Sequence, residues 1–90
     1  MPQAIVDPQE LRRFAANLKR FNQDLEAQTG AIRGQLAGLA QTWRDREQEK
    51  FAEEFEQTVQ AIARFLEISN QHIPFLLRKA ERIEEYLQQR

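Results

Sequence analysis

Two long stretches of helical periodicity meet at one short interruption, Thr42-Trp43-Arg44-Asp45, and no other break in the 90-residue chain is as convincing. A chain written this way can turn back on itself once. The expectation is therefore an all-α, antiparallel two-helix hairpin bent at its only tryptophan, a single domain with residues 1–7 as tail and cap, 8–41 as helix one, 42–45 as the Trp-containing turn and 46–88 as helix two. Each arm of a lone hairpin has one side covered by the other arm, and any further apolar surface must meet another chain. Function by association with a second copy, or with a related chain, follows from the pattern.

The start of helix one is well marked. Asp7 stands at the N-cap, Pro8 at the first helical position and Glu10 completes a capping box. Leu11, Leu18, Leu25, Ile32 and Leu39 then recur every seven residues as one seam. Phe14 and Phe21 supply the second seam position until Gln28 and Gln35 replace them, and the seam passes to Leu36 and Trp43. A nearly straight helix drifts in this way against a strict heptad, so weak supercoiling is expected.

Helix two opens at Asp45, with Gln48 three residues on and Glu47 and Glu49 complementing the positive helix end. Phe51, Phe55, Ile62, Leu66, Ile73, Leu76, Ile83 and Leu87 mark its buried side, while Val59, Phe65, Leu77 and Tyr86 widen it. A stripe this wide suits a helix with two neighbours. Pro74 removes an amide donor inside the pattern, which predicts a kink around Ser69 to Ile73 or, as the alternative, a break into a third helix. Arg12, Arg13, Lys19 and Arg20 should lie beside Glu81, Glu84 and Glu85 in the antiparallel arrangement. Such surface pairs contribute only about 0.2–1 kcal/mol each, so they select the arrangement more than they hold it.

Gly30, Gly34 and Gly38 recur every four residues. A glycine inside a helix costs about 1 kcal/mol relative to alanine, so three in register suggest close backbone approach by a partner. The expected partner interface comprises Gly30, Gly34 and Gly38 with Phe51, Phe55, Val59 and Ile62; the alternative is that the glycines merely weaken an exposed half-helix.

Composition removes several functions. Formal charge is −1 with both signs interspersed, which argues against nucleic acid. Cysteine is absent, so neither disulfides nor thiolate metal sites can form. Met1 to Val6 lacks the basic start and apolar run of a cleaved secretory signal, and no stretch reaches the ~20 apolar residues that span a bilayer. The reading is a cytoplasmic product whose export, if any, uses no N-terminal signal.

With the turn at Trp43-Arg44-Asp45, the chain resembles the WXG (Trp-x-Gly) family of roughly hundred-residue helical hairpins, which includes the early secreted antigenic target proteins exported by type VII secretion systems. The resemblance covers nearly the whole chain. It implies a homodimer or heterodimer packed as a four-helix bundle, no enzymatic activity, no cofactor, and a role as secreted effector, adaptor or secretion component. It also implies a recognition surface at Trp43, with a secretion ATPase as a further partner. Two positions depart from the family pattern. Asp45 replaces the motif glycine, and the family's C-terminal Tyr-x-x-x-Asp/Glu, begun at Tyr86, meets Arg90 where an acid belongs. A partner chain could carry that signal.

Chemistry is otherwise sparse. His72 reads as a packed or backbone-bonded residue, Glu53, Glu54 and Glu56 as a solvated face, and the single serine, Ser69, has no activating neighbours, so no catalytic or metal site is expected. Trp43 is read equally as a plug closing the hairpin end and as an exposed anchor. Beside the secretion-type protein stand a non-exported intracellular scaffold and, last, a membrane-surface binder, which the acidic run from Glu47 to Glu56 around Phe51 and Phe55 disfavours.

Overall fold

A computed structural model describes residues 6–89; residues 1–5 of the tail and Arg90, the last position of the C-terminal pattern, lie outside it. Two helices make up the fold, α1 (Pro8–Leu39) and α2 (Arg46–Gln88), laid antiparallel as a rod of 68 × 22 × 16 Å. The radius of gyration is 20.2 Å, against about 12 Å for a compact domain of this length. The rod therefore has surface to spare and little interior.

Local chemistry sets the helix ends. The Asp7 carboxylate accepts from the Gln9 amide at 2.9 Å, and Pro8 needs no partner for an amide it lacks. Asp45 caps α2 in the same manner, its Oδ1 accepting from the Gln48 amide at 3.0 Å. α1 closes at Leu39, two residues before the expected end at 41. The amides of Ala40, Gln41 and Thr42 reach back only three residues, to Ala37, Gly38 and Leu39, which tightens the last turn and satisfies otherwise free carbonyls. α2 runs unbroken through Pro74 as one helix of 43 residues.

The two arms meet along a heptad seam. On α2 every half-buried or buried seam position from Gln48 to Ile83 follows an alternating four-three spacing, with Ala52, Val59, Ser69 and Ala80 among them. On α1 the seam is Leu11, Ala15, Leu18, Asn22, Leu25, Thr29 and, further on, Leu36. Here the structure corrects the sequence reading. Phe14 and Phe21 do not hold the second seam position; they are 56% and 52% exposed, and Ala15 and Asn22 take that place. At 100° per residue Leu11, Ala15, Leu18 and Asn22 stay within about 30° of one line, whereas Phe14 and Phe21 fall roughly 60–80° to one side.

The interior is built from small groups. Ala15, Val59 and Ala80 are its buried apolar residues, Asn22 and Ser69 its buried polar ones, and no large side chain among the described residues is fully buried. Small side chains let the two backbones approach. They also leave the large ones at the margins.

Mid-seam, the Asn22 Nδ2 donates to Ser69 Oγ at 2.8 Å and to Asn70 Oδ1 at 3.0 Å, while Ser69 Oγ donates back to Asn22 Oδ1 at 3.1 Å. No buried side-chain polar atom among the described residues is left without a partner, so this cluster avoids the desolvation penalty of an unpaired amide. Of the four cations expected beside the C-terminal acids, Arg12 is the one that pairs across the arms among the described residues. Its Nε and Nη2 donate to the two Glu84 oxygens at 3.1 and 2.7 Å. That hydrogen-bonded pairing holds the Glu84 carboxyl below the usual carboxylate range and lifts the Arg12 guanidinium above its own. Arg33 makes the second cross-arm pair, with Glu56.

Candidate interaction surface

Most of the large apolar side chains excluded from the seam collect on one side of the rod, Leu77 being on the opposite flank of α2. Phe14, Phe21, Ile32 and Leu39 of α1 are each about half exposed and fall on the same flank of the helix at 100° per residue. Phe51, Phe65, Ile68 and Phe75 of α2 are exposed to the same degree. Helical phase puts them on the matching flank, since two antiparallel helices turn equivalent flanks to one side. The aromatic contacts agree: Phe21 meets Phe65 across the arms edge to face, with centroids 6.4 Å apart. A groove of ≈ 390 Å³ opens on this side between Phe14, Leu18, Phe65, Ile68, Phe75 and Leu76, with Ser69 and His72 in its lining. His72, expected to be packed, is instead exposed in this groove.

The turn carries the other aromatic group. The Trp43 amide donates to the Leu39 carbonyl at 2.8 Å, and Arg44 Nε donates to the Ala40 carbonyl at 3.1 Å, so both residues cap the carbonyl end of α1. The half-buried Trp43 indole lies 6.2 Å from the Phe51 ring, which in turn stacks on Phe55 at 5.9 Å. One aromatic ladder thus links the turn to the apolar side. Asp45, in the place of the motif glycine, has φ −85° and ψ −177°, an extended conformation open to any residue. The position demands no glycine here. It demands a side chain that can cap.

The residues expected at a partner interface divide into three groups. Val59 is 7% exposed and, with Ile62 and Phe55, belongs to the chain's own seam. Phe51 lies on the apolar side. Gly30, Gly34 and Gly38 are exposed, and a Cβ added at any of them would meet nothing within 4 Å, so the hairpin itself makes no use of them. Steps of 400° carry these glycines round the back of α1, away from Phe14, Phe21, Ile32 and Leu39. Gly30 does line a small cleft on the opposite side of the rod, with Val59, Ile62 and Ala63. The Asn22–Ser69 cluster was missed by sequence reasoning. Each residue's seam position was visible, set by the flanking leucines and isoleucines, but nothing in the spacing paired the two.

Among the described residues no three His, Cys, Asp or Glu side chains gather to hold a metal ion, and no helix is long and apolar enough to cross a membrane. The described residues form a helical hairpin with one exposed apolar side and an aromatic turn. The family model described as "Proteins of 100 residues with WXG" matches residues 3–88, and the chain belongs to this WXG100 family. Among solved structures it is similar to the secreted protein EsxB of Bacillus anthracis str. Sterne. A selenomethionine-labelled form is 28% identical, with a TM-score of 0.77 over 96% of this chain and 98% of that one. A single-substitution variant is also 28% identical, with a TM-score of 0.76 over 94% and 98%. No curated protein matches the chain.

Proposed function

We propose that this chain is a non-enzymatic WXG-type protein of a type VII-like secretion system, that it works as a dimer, and that it leaves the cell without a cleaved signal peptide. Dimers packed as four-helix bundles are typical of the family, and the likeness to a secreted protein supports export. The observation that carries the reading is the apolar side. Eight large side chains, Phe14, Phe21, Ile32, Leu39, Phe51, Phe65, Ile68 and Phe75, are each about half exposed. They offer roughly 700 Å² of apolar surface, close to the ~800 Å² per partner of a standard stable interface. A second copy laid against the same side covers it. The Trp43 end stays free for a further contact, for which a secretion ATPase is the candidate.

Light scattering across a dilution series tests the dimer. The wild-type chain should give twice the monomer mass, and a Phe21→Asp, Phe65→Asp double variant the monomer mass with its helical signal retained. A second seat for the partner is the glycine row, favoured by the open space over all three glycines. Gly34→Leu separates the two: an unchanged mass is expected, and a split dimer would move the interface to the glycines. Export is tested by comparing cell pellet and culture medium with and without the secretion ATPase. Retention inside in both cases would favour an intracellular scaffold, the role for which Arg90 in place of an acid speaks.

A further inference from the structure

The chain has one histidine, and the fold sets it where water would be lost on assembly. His72 lines the groove between the arms, and Phe65, Ile68 and Phe75 of its own helix and Phe14 and Leu18 of α1 line it too. It is the only titratable side chain in that lining. It lies five residues from the midpoint of α2, so a partner that overlaps the hairpin fully, in either direction, covers it.

Resting on the dimer reading above, we propose that His72 makes self-association pH-sensitive: the dimer holds while the imidazole is neutral and loosens when it gains a proton. Burial among aromatic and aliphatic groups disfavours the charged form, so the dimer binds fewer protons than two free chains. Association is therefore strongest at neutral and alkaline pH and falls as the solution turns acid. A homodimer buries two such imidazoles, which doubles the proton linkage.

Within one hairpin the surrounding charges do not offset this. On α2, Lys79 stands two turns and Arg82 about three turns further along the apolar side, and further positive charges only oppose protonation; Arg64, Glu67 and Arg78 fall on the outward side by helical phase. On α1, Glu10 and Asp24 lie at the outer edge of the apolar side, beyond Phe14 and Phe21, while Arg13, Lys19 and Arg20 point elsewhere. No carboxylate lines the groove to stabilise an imidazolium. The cross-arm pair of Arg12 and Glu84 does not titrate in the same range, because its hydrogen bond keeps Glu84 ionised below the usual carboxylate range.

Sedimentation equilibrium of the full chain at about pH 7.5 and about pH 5.5, at constant ionic strength, tests the proposal, since histidine is the side chain that changes charge between them. The wild-type dimer should weaken about tenfold or more at the lower pH, and His72→Gln should show almost no pH dependence with helicity unchanged by circular dichroism. A wild-type affinity equal at both pH values, or a His72→Gln chain as pH-sensitive as wild type, would overturn the assignment to His72 while leaving the dimer standing. A monomer at neutral pH at every concentration would remove the dimer reading itself, and this inference with it.

Discussion

Asp45 shows how one side chain can replace a motif residue without strain. Its carboxylate satisfies the Gln48 amide, a contact whose loss in Asp45→Ala should lower stability by about 1 kcal/mol. Thermal or urea melting checks this, and an unshifted curve would mean that Arg44 and Trp43 hold the turn alone. Asn22 is the more consequential residue. Asn22→Ala removes three hydrogen bonds at once and leaves the Ser69 hydroxyl and the Asn70 amide oxygen short of partners, at a cost of about 1–3 kcal/mol. The Asn22→Ala, Ser69→Ala double variant should recover part of that loss, because both polar groups then leave together. The cap was legible in the sequence because capping is local, an acid followed three residues later by an amide. The buried cluster was not, since Asn22 and Ser69 are 47 residues apart and only the register of the two arms brings them together.

At the scale of the helices, the seven-residue recurrence located one half of the α1 seam at Leu11, Leu18 and Leu25, whereas Ile32 and Leu39, which continue it, are about half exposed, and the wide stripe on α2 leaves Phe65 outside the seam. The other half of the seam escaped, because hydrophobicity alone assigns a seam to the largest side chains. Close packing of two helices selects Ala15, Val59 and Ala80 instead, and sends Phe14 and Phe21 outward. Size is therefore under selection in the seam. Ala80 has no exposed surface, and Ala80→Leu should force the arms apart at a cost of about 1–3 kcal/mol in urea unfolding. A neutral result would indicate that the end of the hairpin yields easily. Pro74 reads differently at this scale than in isolation. The apolar phase of Leu76, Ala80 and Ile83 continues past it, and the tertiary seam keeps the helix in one piece.

The whole molecule is a rod without a substantial interior, and the proposed dimer would make up for that shortage. Length, the single turn and the breadth of the apolar pattern made the rod and its uncovered apolar surface legible in the sequence. Which large side chains stay outside the seam depended on helical phase, a matter of tens of degrees that sequence spacing does not resolve. Self-association and cooperative folding should be coupled accordingly: melting temperature should rise with protein concentration, and a concentration-independent melt would show that the hairpin is stable alone. One feature of the antiparallel layout has a mechanical side. Arg12 beside Glu84 puts the start of α1 and the end of α2 at the same end of the rod. Tension drawn between those ends loads the seam one layer at a time, as in opening a zipper, with Ile83 and Ala80 yielding before the Asn22–Ser69 lock. Such a molecule is unfastened from one end, layer by layer, before the lock at its middle is loaded.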